Sequence, residues 1–161
     1  MHGYKYVIMS FIIYEKAMSP DPTDKAQPHL PKLITAGFRR MGCWRPTSAG
    51  DGIELDFTAE RAPGVYAYVV NGVVHYVGSA QSGLHGRFRR YAITKTMRTS
   101  RRIRDKILGC FAAGQAVEIY TLVPPSLIWH DLPVDLIAGL EEGLIRSLHP
   151  VWNLRSNREV E

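Results

Sequence analysis

The pattern of apolar and polar positions is clearest between residues 62 and 77. Residues 65–70 and 73–77 are β-branched and aromatic runs joined at Asn71-Gly72, the dipeptide that most strongly signals a hairpin. Two registers are open. A two-residue turn pairs Val70 with Val73 and Tyr66 with Val77, sending Tyr66 and Tyr76 to opposite faces. A three-residue turn with Gly72 in a bulge pairs Val69 with Val73 and Tyr66 with Tyr76. That gathers Tyr66, Tyr68, Val74 and Tyr76 on one face, against Val65, Ala67, Val69, Val73, His75 and Val77 on the other. The second register separates phenols from aliphatics more cleanly and is the one expected.

Beyond the hairpin the period becomes helical. Residues 84–93 place Leu84, Phe88, Tyr91 and Ala92 on one side, and residues 100–113 do the same with Ile103, Ile107, Leu108 and Phe111 before Gly114. Residues 117–123 read as a strand stopped by Pro124-Pro125, and 134–148 as a helix ended by His149-Pro150. The order β-β-α-α-β-α predicts an α/β (α+β) fold, a small three-stranded antiparallel sheet flanked by helices.

Upstream the signals weaken. The apolar run at 6–14 is too short for a bilayer, which needs roughly 20 residues. Glu15-Lys16 follows at once with no small-residue cleavage site, so a buried strand is expected and neither export nor a membrane is. Residues 19–31 are a proline-rich linker, 32–40 admit a short helix, and Gly50-Asp51-Gly52 turns into the alternating 53–57. The chain therefore divides into an N-terminal extension, residues 1–60, and a domain at 61–161.

Composition changes this picture in one respect. A hydrophobic content of 45% and 22% charged residues suit a globular protein. The net charge of +5 is unevenly placed: residues 87–106 carry nine Lys or Arg against Asp105 alone. A basic stripe on a mildly acidic remainder suggests a polyanionic partner, although charge alone also fits a solvated helix face. Cys43 and Cys110 have neither metal spacing nor a disulfide framework, and the chain reads as cytoplasmic and reduced.

Candidate chemistry lies in three places. Tyr66 or Tyr76 alone is most simply a half-buried strand aromatic, but two phenols on one face beside a basic helix suggest more. Arg87 and Tyr91 stand four apart and project to one side of their helix, whereas Arg89 and Arg90 point elsewhere. A guanidinium there can hold a phosphate oxygen. Glu141 falls inside the stripe of Ile137, Leu140, Leu144, Ile145 and Leu148, and Glu142 outside it. A carboxylate so placed needs a partner, either an arginine or a cation. Magnesium keeps several waters, so one carboxylate suffices to hold it.

Together these residues resemble the GIY-YIG nuclease superfamily over about residues 62–155. Gly64-Val65-Tyr66 stands for the first signature and Tyr76-Val77-Gly78 for the second, with Gly64 and Gly78 as its structural glycines. The segment from Leu84 to Tyr91 looks like the family's helix with its catalytic arginine. Glu141, followed by Pro150-Val151-Trp152-Asn153, looks like its metal-binding glutamate and terminal asparagine. Valine replaces isoleucine in both signatures, Tyr91 stands where some branches carry histidine, and Ser79 stands where repair-type members often carry lysine.

The resemblance implies a catalytic domain at 61–161 that hydrolyses DNA phosphodiesters with Mg²⁺ or Mn²⁺. Tyr66, with Tyr76, would orient or deprotonate water, and Arg87 would stabilise the developing charge. Glu141 would hold the metal, Tyr91 would hold phosphate or water, and Asn153 would brace the site. Arg89, Arg90, Lys95, Arg98, Arg101, Arg102 and Arg104 would track the DNA backbone. Duplex DNA is the expected partner and a restriction-type or stand-alone endonuclease the expected role. Specificity would come from 29–60, with Arg39, Arg40, Trp44 and Arg45 as candidates, and from the loops after residue 93. A homodimer would serve a symmetric site. The alternatives are a non-catalytic nucleic-acid-binding module, a repair or recombination enzyme, and an RNA-directed nuclease.

Overall fold

The computed structural model describes residues 29–93 and 96–154. The apolar run at 6–14, most of the proline-rich segment and Lys95 lie outside the described residues. The described residues form four helices and seven strands: α1 (Leu30–Thr35), β1 (Arg39–Pro46), β2 (Ile53–Leu55), β3 (Gly64–Val70), β4 (Val73–Ala80), α2 (Leu84–Ile93), α3 (Arg98–Ala112), β5 (Val117–Leu122), β6 (Leu127–Trp129), β7 (Leu132–Val134) and α4 (Leu136–Leu148). The main sheet is antiparallel with order β2-β1-β5-β3-β4, and β6 and β7 form a separate hairpin.

The expected order of elements holds from β3 to β5 and again at α4, with the unexpected β6–β7 hairpin between them, and the sheet has five strands rather than three. Residues 39–55, expected to lie outside the catalytic unit, extend it through β1 against β5 and β2 against β1. β1 reads Arg-Arg-Met-Gly-Cys-Trp-Arg-Pro, which has no alternation to betray a strand. Its inward residues are Gly42 and Trp44, and its strand character comes from pairing rather than from pattern.

In the hairpin, Asn71 and Gly72 have φ of 51° and 78°, both positive as a two-residue type I′ turn requires. Val70 pairs with Val73 and Val69 with Val74, so the expected three-residue turn is not formed. The extra residue sits instead at His75, where the register shifts, and beyond it Tyr68 pairs with Tyr76 and Tyr66 with Gly78. This bulge has the effect expected of the turn: Tyr66, Tyr68 and Tyr76 share one face. Val74, expected among them, packs on the other.

Each face is covered by helices. The phenol face packs under α2 and α3 through Leu84, Phe88, Tyr91, Ile103 and Ile107, with Trp44 and Trp152. The aliphatic face, with Val65, Ala67, Val69 and Val77, packs on α4 and α1. Burial of these side chains stabilises the fold by roughly 1.5–3 kcal/mol each. α4 starts where the Asp135 carboxylate accepts from the Ala138 amide at 2.9 Å. It stops at His149, whose φ of 45° is left-handed. No described helix is long and apolar enough to cross a membrane.

Candidate active site

The β3–β4 hairpin and α2 bring the phenols and the arginine together. Tyr66 lies across Gly78, where an added Cβ would stand 2.5 Å from its hydroxyl, so only glycine permits this ring position. Gly64 is similarly closed, by the Leu122 carbonyl at 2.7 Å. The Tyr66 hydroxyl accepts from Arg87 Nε at 3.0 Å and lies 2.7 Å from that of Tyr91. Tyr91 in turn donates to the Tyr76 hydroxyl at 3.3 Å. Each phenol has one proton, so directing the Tyr91 proton to Tyr76 leaves Tyr66 as the donor to Tyr91. The order is then Arg87 to Tyr66 to Tyr91 to Tyr76, and the proton of Tyr76 is the one left for an outside partner. The Arg87 guanidinium also stands 5.3 Å from the centre of the Tyr91 ring.

Tyr66 and Tyr91 are completely buried, whereas Tyr76 retains 5% exposure. Burial pushes the Tyr66 hydroxyl well above the usual tyrosine value; Tyr68 and Tyr76 add to this and Arg87 opposes it. Burial likewise raises Tyr91, again against Arg87. Both are neutral phenols at ordinary pH. For Arg87, burial works against the charge, but the surrounding phenols outweigh it and hold the guanidinium above its usual pKa.

Tyr76 opens onto a cleft of 560 Å³ at the β4 edge, whose walls include Glu141, Asn153, Thr99 and Arg102. Glu141 occupies the half-buried position that its helical stripe demanded. Its carboxylate accepts from the Ser79 hydroxyl at 2.5 Å, and among the described residues it forms no salt bridge. Glu142 instead pairs with Arg146 one turn on, at 2.8 Å. Tyr66, Tyr91 and Arg87 do not line this cleft; they reach it through Tyr76.

The chain after α4 closes the free edge of β4. Asn153 accepts from the Val77 amide at 2.9 Å and donates to the Val77 carbonyl at 2.8 Å. The Trp152 amide donates to the carbonyl of the bulged His75 at 2.8 Å. These three hydrogen bonds cover part of a strand edge that would otherwise be unpaired.

The basic residues divide. Arg89, Arg90, Arg98 and Arg101 are exposed. Arg102 donates to the Trp152 carbonyl at 2.7 Å and Arg104 to the Asp51 carbonyl at 2.8 Å, so both hold the fold together. Of the specificity candidates, Trp44 is buried in the core at 2% exposure. Arg40 pairs with Glu118 and Arg45 with Asp56, and Arg39 is exposed. Thr99 lines the cleft and carries no sequence signal. Ser79, which holds the Glu141 carboxylate, could have been expected there, since strand alternation after Gly78 turns it toward α4.

A hard divalent cation takes oxygen ligands and keeps several waters. Among the described residues no three His, Cys, Asp or Glu side chains cluster, so there is no all-protein cage. Glu141 fits the other kind of site: a carboxylate on the wall of an open cleft, held by a neutral hydroxyl rather than by a cation.

Solved structures with a similar fold are known. Bacteriophage T4 EndoII matches 78% of this chain and 99% of its own at a TM-score of 0.62 and 19% identity. The chain shares its fold with T4 EndoII. Similarity extends to the magnesium-bound GIY-YIG N-terminal endonuclease domain of UvrC from Thermotoga maritima, at 27% identity over 60% of this chain and 88% of that one, with a TM-score of 0.40. The match to the restriction endonuclease Hpy188I in complex with product DNA covers 92% of this chain and 88% of that one, at 13% identity and a TM-score of 0.49. No family model matches the chain, and no curated protein matches it.

Proposed function

We propose that this chain is a divalent-metal-dependent endonuclease that hydrolyses phosphodiester bonds in duplex DNA, of the site-specific restriction type. The observation that carries the reading is the directed series of hydrogen bonds from Arg87 to Tyr76, ending on a cleft that Glu141 walls.

In the reaction a water oxygen bonds to phosphorus and gives up a proton to solvent, the bond from phosphorus to the leaving sugar oxygen breaks, and that oxygen takes up a proton from solvent. Tyr76 presents its hydroxyl to the water. Tyr66, expected from sequence to be the principal phenol, is sealed from solvent and neutral, and acts by holding Tyr91 and through it Tyr76. Arg87 keeps its charge throughout and polarises the same phenols. Mg²⁺ or Mn²⁺ bound at Glu141 would offset charge on the scissile phosphate. Asn153 fixes Val77, between Tyr76 and Gly78, and so sets where the phenol stands. The exposed Arg89, Arg90, Arg98 and Arg101 hold DNA phosphates without reading sequence. A homodimer would allow both strands of a symmetric site to be cut.

The test is incubation of supercoiled plasmid with Mg²⁺ or Mn²⁺. The expected result is nicked and linear product from the natural chain and none from Glu141→Ala or Arg87→Ala. DNA binding by the natural chain with no cleavage under either metal would leave a non-catalytic binding module. Preferential cleavage of structured RNA would move the substrate class.

A further inference from the structure

We propose that a second cavity, at the end of the sheet where β1 begins, is a binding site for a guanine base. The proposal rests on the nuclease reading only in taking a nucleic acid or nucleotide as the partner, and its test needs no cleavage. The cavity measures 310 Å³, a size that suits a small ligand. Its walls include Arg39, Met41, Glu60, Thr121, Leu122 and Val123. Arg39 and Glu60 bring opposite charges to it, yet among the described residues neither forms a salt bridge, with the other or with any third group. Two exposed charges alone would be solvated surface. What distinguishes this pair is the cavity they share, which also has apolar walls and a hydroxyl from Thr121, a residue only 6% exposed. The backbone of Glu60 is fixed as well: its carbonyl accepts from the His85 amide at 2.8 Å, satisfying a donor in the first turn of α2.

The register relates this cavity to the candidate active site. Arg39 lies opposite Thr121, Thr121 opposite Tyr66, and Tyr66 opposite Gly78. Directly opposed residues share a face of the sheet, so Arg39 and Thr121 stand on the side of the phenols. Three strand spacings put the Arg39 backbone about 14 Å from Gly78 on β4. That is the length of about four base steps along a duplex strand. A strand whose phosphate lies in the β4 cleft therefore has bases within reach of the cavity.

The chemistry of the walls selects the base. A ligand that spans both charges must offer donors to the carboxylate and acceptors to the guanidinium. Guanine places two neighbouring donor nitrogens, N1 and N2, beside two neighbouring acceptors, O6 and N7. Glu60 takes the first pair and Arg39 the second, each as a bidentate contact. Adenine, cytosine and thymine each have one donor nitrogen on the pairing edge and cannot engage both carboxylate oxygens in this way. Met41, Leu122 and Val123 offer the apolar contact that a base outside its stack requires.

Equilibrium dialysis of the full chain without divalent metal tests the proposal with two sets of probes. The free nucleotides are guanosine, inosine and adenosine monophosphates, inosine lacking only the N2 amino group. The DNA probes are a thymidine oligonucleotide with one central guanine and the same strand with inosine there. A preference of about 10-fold for guanine over inosine is expected in at least one set. Preference among the free nucleotides alone identifies a nucleotide site, and preference among the oligonucleotides alone identifies DNA as the source of the base. Glu60→Gln is expected to lose the preference at an unchanged melting temperature, and Arg39→Ala to weaken guanine and inosine alike. Equal binding of guanine and inosine in both sets overturns the proposal, as does a preference that survives Glu60→Gln. Because the readout is binding, a chain that fails to cut plasmid can still pass this test, and a chain that cuts can still fail it.

Discussion

Asn153 returns both ends of its amide to one residue, Val77, accepting from its N–H and donating to its C=O. Val77 lies between the phenol that opens on the cleft and the glycine beneath the Tyr66 ring. Asn153→Ala leaves both backbone groups without these partners, at a cost of about 2 kcal/mol. The melting temperature should fall by roughly 4–8 °C, measured by circular dichroism, and cleavage should fall with it. Asn153→Asp should do at least as badly, because a carboxylate then faces the Val77 carbonyl.

Ser79 and Glu141 make a second testable pair. The Ser79 hydroxyl fixes the carboxylate without neutralising it. Ser79→Ala should preserve cleavage at saturating metal and raise the Mn²⁺ concentration for half-maximal rate by about 10-fold, the effect of losing a residue that orients a ligand. Glu141→Gln should abolish cleavage at every metal concentration. Equal behaviour of the two variants in a metal titration would show that Glu141 is not the ligand.

The buried phenols predict an alkaline limit to stability. Tyr66, Tyr68 and Tyr91 have folded-state pKa values raised by burial above the ordinary 10.0. The unfolded chain therefore loses these protons first as pH rises. Their contribution is complete below about pH 10 and is lost progressively above it. Melting temperatures of the natural chain should fall steeply above about pH 10, and Tyr66→Phe and Tyr91→Phe should each flatten that fall. Identical slopes in all three proteins would place these phenols in contact with solvent.

Salt dependence should separate the arginines. Arg89→Ala and Arg90→Ala should weaken DNA binding uniformly across sequences and each reduce the slope of log affinity against log salt by about 1. Arg102→Ala and Arg104→Ala, whose side chains tie α3 to the Trp152 and Asp51 carbonyls, should lower the melting temperature instead. Fluorescence anisotropy at several salt concentrations, with thermal melts alongside, measures both.

The elements that were legible in sequence are those whose signal is local. Asn71-Gly72 marked its turn, and the 3.6-residue period placed Glu141 on the buried side of α4. The bulge at His75 was not legible, because a bulged residue has no composition of its own; its position follows from the later pairing of Tyr68 with Tyr76. β1 was missed because three arginines, a glycine and a proline conceal a strand that exists by pairing with β5. The β6–β7 hairpin was missed because Pro124-Pro125 and Pro133 read as breakers and His130-Asp131 is a weak turn signal. Within the site, spacing could select phenols that come together. Which of them meets water could not, since it depends on the ring of Tyr66 lying over Gly78 while the hydroxyl of Tyr76 faces the cleft.

The bulge also means that β4 holds one residue more than its ladder with β3 can use. A chain shortened by one at His75 would run from Val74 straight to Tyr76 with unbroken pairing and every phenol still inward. The same deletion a few positions later would rotate the remainder of the strand by half a turn, exchanging the inward and outward sets. Length changes in this hairpin should therefore be tolerated at one site and ruinous beside it.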